Sequence, residues 1–99
     1  LTEVTITHEG GETSGKYTAE VAGADETGKL TWKARGGDPA VRIADHTIVP
    51  PAIGGQGVAA KLVDALIADA REQGFKIVPQ CSYVAAKFER NPDWADLLA

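Results

Sequence analysis

Not one methionine occurs in these 99 residues, and cysteine occurs once, as Cys81. A single thiol cannot close an internal disulfide, so the expected setting is a reducing cytoplasm. A chain without Met that begins at Leu1 is expected to lack a residue or two at its start. Positive charge is scarce as well. Ten basic residues stand against fourteen acidic ones, a net charge of −4. That balance argues against sequence-independent nucleic-acid binding, which needs a basic face to neutralise phosphates. No apolar run is long enough to span a bilayer and no signal-peptide pattern opens the chain, so no membrane partner is expected. No His, Cys, Asp or Glu cluster has the spacing of metal ligands, so no metal site is expected. No repeat, linker or low-complexity segment divides the sequence.

What is present is an ordinary globular composition, 43% hydrophobic and 24% charged, in a length that supports one modest core. Residues 1–99 are therefore expected to form one domain. The first half has the period of strands. Val4 to His8, Lys16 to Val21 and Leu30 to Ala34 alternate apolar and polar residues, with turn formers in Gly10 to Gly15 and Gly23 to Gly28. Such segments most simply form an antiparallel meander. A fourth strand, Val41 to Val49, leads into a loop. From Gln56 to Gln73 the period becomes helical, with Ala59, Leu62, Val63, Leu66 and Ala70 on one face and Gly74 placed to cap the end. Phe75 to Gln80 reads as a short buried strand. Ser82 is a plausible N-cap for a second helix through Arg90, and Asp93 to Leu98 suit a last helical turn. The expected fold is mixed α/β (α+β): antiparallel N-terminal strands, one parallel strand reached by a crossover, and two main helices.

The segment with most to say about function is Val49 to Leu62. A β-branched run is stopped by Pro50 and Pro51, passes through Gly54, Gly55 and Gly57, and opens directly into a helix. The first helical turn has backbone N–H groups without intrahelical partners and roughly half a positive charge from the macrodipole. Glycines let that backbone approach phosphate oxygens with no Cβ in the way. The segment reads as a pyrophosphate cradle. It is no Walker loop, since no Gly-Lys-Ser/Thr follows. Gly55-x-Gly57-x-x-Ala60 matches a loose dinucleotide pattern, but the next strand ends in Gln80 and Cys81, not in the acidic residue that would hold a ribose.

Gly54-Gly55-Gln56-Gly57-Val58-Ala59 is similar to the acetyl-CoA pyrophosphate loop of the GNAT N-acetyltransferase superfamily, Gln/Arg-x-x-Gly-x-Gly/Ala, with Gly54 in the place of Gln or Arg. Together with His-Thr-x-Val-Pro from His46, and Cys-Ser-Tyr-Val-x-x-x-Phe-x-x-Asn-Pro from Cys81 to Pro92, it resembles the small single-domain GNAT-like proteins of the YjdJ type. The resemblance implies a GNAT-like sheet and acetyl transfer from acetyl-CoA to an amine. It also implies a diphosphate held by Gly54, Gly55, Gln56, Gly57, Val58 and Ala59, and a thioester oriented by the strand around Ile48. The alternative is a module that binds coenzyme A or an acyl-CoA without turnover. The acceptor amine is open, and a monomer is expected.

Two residues are the candidate catalytic groups. Cys81 lies where the last strand hands over to a helix, and a helix N-terminus can favour a thiolate; the resemblance sets it near the reactive end of coenzyme A. His46 lies on the strand before the loop, where a neutral imidazole could accept a proton from an attacking amine. Asp45 is expected on the opposite face of that strand, a poor partner for the imidazole. Tyr83 stands loosely where larger relatives carry a thiolate-protonating tyrosine, and packing on the core is its simpler role. His8, Lys61, Lys87 and Arg90 are expected on solvated surfaces.

Overall fold

Residues 3–99 are described in a computed structural model, so the reading of Leu1 lies outside the described residues. Strands β1 (Val4–Gly10), β2 (Ser14–Val21), β3 (Thr27–Arg35) and β4 (Asp38–Ile48) form the meander, each antiparallel to the next. Helix α1 (Val58–Gln73) follows, then β5 (Lys76–Pro79), which pairs parallel to β4. Helix α2 (Ser82–Arg90) and a 3-10 segment (Pro92–Leu97) complete the chain. The sheet order is β1-β2-β3-β4-β5. This is the mixed α+β architecture expected from the sequence.

The strands follow their alternation onto one covered face. Tyr17, Ala19, Val21, Leu30, Trp32, Ala44 and Ile77 are buried there, in one cluster with Leu62, Val63 and Leu66 of α1 and Val84 and Phe88 of α2. Complete burial of an aliphatic side chain such as Leu62 or Leu66 stabilises the fold by roughly 1.5–3 kcal/mol. The opposite face carries Thr7, Glu9, Lys16, Thr18, Lys29, Thr31 and Lys33, none of them buried. The domain is thus two layers thick, with the helices on one side and a polar sheet face turned to solvent, an arrangement antiparallel sheets tolerate.

Two glycines read as turn residues lie inside strands instead. A Cβ on Gly15 would stand 2.7 Å from the Trp32 indole, and one on Gly28 would stand 2.9 Å from Val58 Cγ1. The first gives a bulky ring its place on the sheet; the second lets the first turn of α1 settle onto β3. The fourth strand also begins earlier than its alternation suggests, at Asp38. Gly36 and Gly37, with φ of 61° and 79°, make a two-residue hairpin whose twist matches the flanking strands.

His8 lies at the surface, as expected, but is not free there. Its ring stacks on Tyr17 at 4.3 Å, and its Nε2 accepts a hydrogen bond from Trp32 Nε1 at 3.0 Å. Tyr17 donates to Asp69 Oδ2 at 2.7 Å, and the same carboxylate lies 3.8 Å from His8 Nδ1. Beside this cluster the buried Arg42 guanidinium sits between Trp32 and Phe75, 4.1 and 3.9 Å from the two ring centres. These groups close the covered face beneath the C-terminal half of α1, at the end remote from the glycine loop.

Candidate functional site

Because β4 and β5 are parallel, both end at the same edge of the domain, and the helix after each begins there. Two helix N-termini thereby lie at one edge of the sheet, the edge where open α/β sheets bind ligands. The ladder between the strands runs from Val41 opposite Lys76 to Ala44 opposite Pro79 and then stops. Gln80 N–H turns back to the carbonyl of Val78 at 2.9 Å, a three-residue turn about Pro79 that bends the chain away. One last bond, Cys81 N–H to Ala44 O at 2.9 Å, closes the floor of a crevice. Above it the edge of β4 from Asp45 to Ile48 faces no strand.

The loop follows β4 at this same edge, where Ala52 and Gln56 line a cavity with Val21 to Ala24 of the β2–β3 connection. Pro51–Ile53 form a 3-10 turn whose Ile53 is completely buried, which anchors the loop to the core. Gly55 and Gly57 have φ of 76° and 74°, conformations that cost residues with a Cβ. A Cβ at either would meet nothing within 4 Å. Gly57 is the N-cap of α1, with no side-chain cap and no acidic residue in the first turn. The N–H groups of the first turn therefore open toward solvent, in the state a diphosphate needs. Val58 sends its side chain into the core beneath Gly28, so only its backbone is available to a ligand. Ile48 ends β4 with its side chain 58% exposed.

Cys81 proves to be the N-cap of α2, with Ser82 the first helical residue, so the expected cap is displaced by one position. The Cys81 thiol donates to Thr47 Oγ1 at 3.4 Å. Burial pushes its pKa up, but the Thr47 hydroxyl and the N–H groups of Val84, Tyr83 and Thr47 outweigh that and hold it below the ordinary thiol value. The helix start and Thr47 thus favour the thiolate at the point where β4 and β5 part.

His46 and Cys81 lie on opposite sides of β4. Thr47, the partner of the thiol, stands opposite Leu30 on the covered face, whereas His46 stands opposite Thr31 on the uncovered one. A direct imidazole–thiol dyad is therefore not formed. Asp45 differs from expectation. Thr31 pairs with His46 and Trp32 with Ala44, which leaves Asp45 as the extra residue of a β-bulge and breaks the alternation. Thr31 Oγ1 donates to Asp45 Oδ1 at 2.6 Å, so the carboxylate shares the uncovered face with His46. Its side chain is only 9% exposed, and Lys33 Nζ lies 3.7 Å from Oδ2. No signal in the sequence marks this residue, because a bulge belongs to the pairing of two strands.

Tyr83 does not pack into the core; it is 36% exposed in the first turn of α2. Its partial burial pushes the phenol pKa up, with Arg90 lowering and Asp64 raising it, so it remains a proton donor at neutral pH. Lys61 and Arg90 are exposed, and Lys87 Nζ stands 6.0 Å over the Tyr83 ring. Among the described residues no group of three or more His, Cys, Asp or Glu could hold a metal ion. No described helix is long and apolar enough to cross a membrane.

Comparison with known proteins adds two findings. The family model of the GCN5-related N-acetyl-transferases matches residues 16–97. The solution structure of a GCN5-like candidate N-acetyltransferase from Staphylococcus aureus is similar, with 28% identity and a TM-score of 0.67, over 94% of this chain and 87% of that one.

Proposed function

This chain belongs to the GCN5-related N-acetyltransferase family, and from that premise we propose that it transfers an acetyl group from acetyl-CoA to a free amine in the cytoplasm, as a monomer. The observation that carries the proposal is the glycine loop opening into the N-terminus of α1, which has no side-chain cap, together with the Cys81 thiol at the N-terminus of α2 where β4 and β5 part.

The diphosphate of the cosubstrate is taken by the N–H groups of Gly55, Gln56, Gly57, Val58 and Ala59, while the Gly54 N–H stays on the Pro51 carbonyl at 3.1 Å and Gly54 serves the cradle through its place in the loop. The pantetheine lies along the free edge of β4 near Ile48, whose N–H and C=O groups replace the missing strand. The thioester then comes beside Cys81 and Thr47. In direct transfer the amine nitrogen attacks the thioester carbonyl carbon; the C–N bond forms, the C–S bond breaks, and coenzyme A leaves as its thiolate. His46, on the uncovered side, takes the proton the nitrogen sheds. In the relay route the Cys81 thiolate first exchanges for coenzyme A, and the amine then attacks the acyl-cysteine.

The test is incubation with isotopically labelled acetyl-CoA, with and without a panel of amines. Acetyl transfer is the expected result, and a thioester on Cys81 in the absence of acceptor selects the relay. Binding of acetyl-CoA without transfer to any amine would reduce the protein to a binding module. No binding at all would sink the reading.

A further inference from the structure

On the uncovered face of the sheet lies a trough of ≈ 480 Å³ that the loop and the crevice leave unused. Glu9, Lys16, Thr31, Lys33 and Asp45 line it. The register sets Glu9, Lys16, Thr31 and His46 in one row across β1 to β4. The trough therefore runs along that row and reaches the bulge at Asp45, beside the point where β4 and β5 part. Its volume is that of a small-molecule site. With the thioester beside Cys81 and Thr47 on the covered side, the uncovered face is the route left for a second reactant.

The lining has two carboxylates and two ammonium groups, and they are unequally free. The Asp45 side chain is 9% exposed and held by the Thr31 hydroxyl, so its position is fixed. Lys33, its ionic partner at 3.7 Å, is 60% exposed, and an exposed lysine holds such a pair weakly. A ligand ammonium can take its place. Lys16 is exposed one strand further out.

We propose that this trough is the acceptor site and that its ligand is a small amine carrying its own anionic group, an ω-amino acid in chemical class. Asp45 receives the ammonium at the end of the row nearest the crevice, and Lys16, with the displaced Lys33, receives the carboxylate. The assignment rests on the acetyl-transfer reading for the word acceptor, while the ligand class rests on the trough alone.

The test is titration of the isotope-labelled, coenzyme A-saturated protein with β-alanine, 4-aminobutyrate, 6-aminohexanoate and butylamine, followed by amide NMR. The amide signals of Lys16, Thr31, Lys33 and Asp45 are expected to move. At least one amino acid should bind about tenfold or more tightly than butylamine, a difference of roughly 1.4 kcal/mol. Asp45→Asn, which keeps an oxygen for the Thr31 hydroxyl, should weaken every amine. Lys16→Gln should erase only the advantage of the amino acids over butylamine. If no amine moves these signals, or if butylamine binds as well as every amino acid, the proposal is overturned. Coenzyme A binding is followed separately by thermal shift. Should coenzyme A fail to bind while amino acids still move the four signals in the free protein, the ligand class stands and the acetyl-transfer reading falls. Should coenzyme A bind and no amine do so, the reverse holds.

Discussion

Gly57→Glu, set against Gly37→Glu, isolates the role of the glycine loop. Both glycines are exposed, have φ of 74° and 79°, and leave room for a Cβ with nothing within 4 Å. Both variants carry the same added charge. They differ in place: Gly57 caps α1 at the crevice, and Gly37 turns the β3–β4 hairpin at the far end of the sheet. A residue with a Cβ in the left-handed region costs about 1–2 kcal/mol. In a domain of this size about 1 kcal/mol shifts the melting temperature by roughly 4–8 °C. Without ligand both variants should therefore melt about 5–15 °C below the parent. Coenzyme A at ~100 times its Kd should stabilise a competent protein by about 2.7 kcal/mol, a rise of roughly 10–20 °C. The parent and Gly37→Glu should show that rise by differential scanning fluorimetry. Gly57→Glu should not, because its carboxylate occupies the space and the dipole end that the diphosphate requires. An equal rise in the two variants would refute the cradle and leave the family fold without this anion site.

Three further outcomes are expected. Alkylation of Cys81 by iodoacetamide should have a lower pH midpoint in the folded protein than in the urea-unfolded chain, should shift upward in Thr47→Val, and should slow when coenzyme A is bound; a folded midpoint at or above the unfolded one refutes the favoured thiolate. Gly15→Ala should lose about 1–3 kcal/mol in urea unfolding, since a rigid indole cannot yield to a Cβ at 2.7 Å. Gly11→Ala, with open space at its Cβ, should stay within roughly 0.5 kcal/mol of the parent, and equal losses would show that Trp32 does not press on β2. His8 has its pKa lowered by burial, with Asp69 raising and Arg42 lowering it further. Its folded pKa thus lies below its unfolded value of about 6.5. The stability tied to neutral His8 is fully present above that value and is lost as pH falls through the folded pKa. The melting temperature should drop on acidification from pH 7, and His8→Gln, which keeps an acceptor for Trp32, should lose that component; an unchanged pH profile in the variant counts against it.

What the sequence determined by itself was everything that depends on neighbours along the chain. Alternation marked the strands, since side chains of an extended chain point to opposite faces whatever they later pair with. A change of period marked α1, and Gly74 marked its end through the left-handed cap it adopts, with its N–H on Ala70 O. Prolines, glycines and a helix start in succession marked the loop, because a strand end, a turn and a helix start are each set by neighbouring residues. Tertiary structure decided what depends on two segments at once. Gly15 and Gly28 look like turn residues until Trp32 and Val58 arrive over them. His8 stays at the surface, but its partners Tyr17, Trp32 and Asp69 come from β2, β3 and α1 and could not be read beside it. The separation of His46 from Cys81 and the sharing of the uncovered face by His46 and Asp45 both follow from one extra residue in β4 against β3. Alternation read along β4 alone puts His46 on the same side as Ala44 and opposite Asp45, because a bulge exists only in the register between two strands, and a single strand has no register.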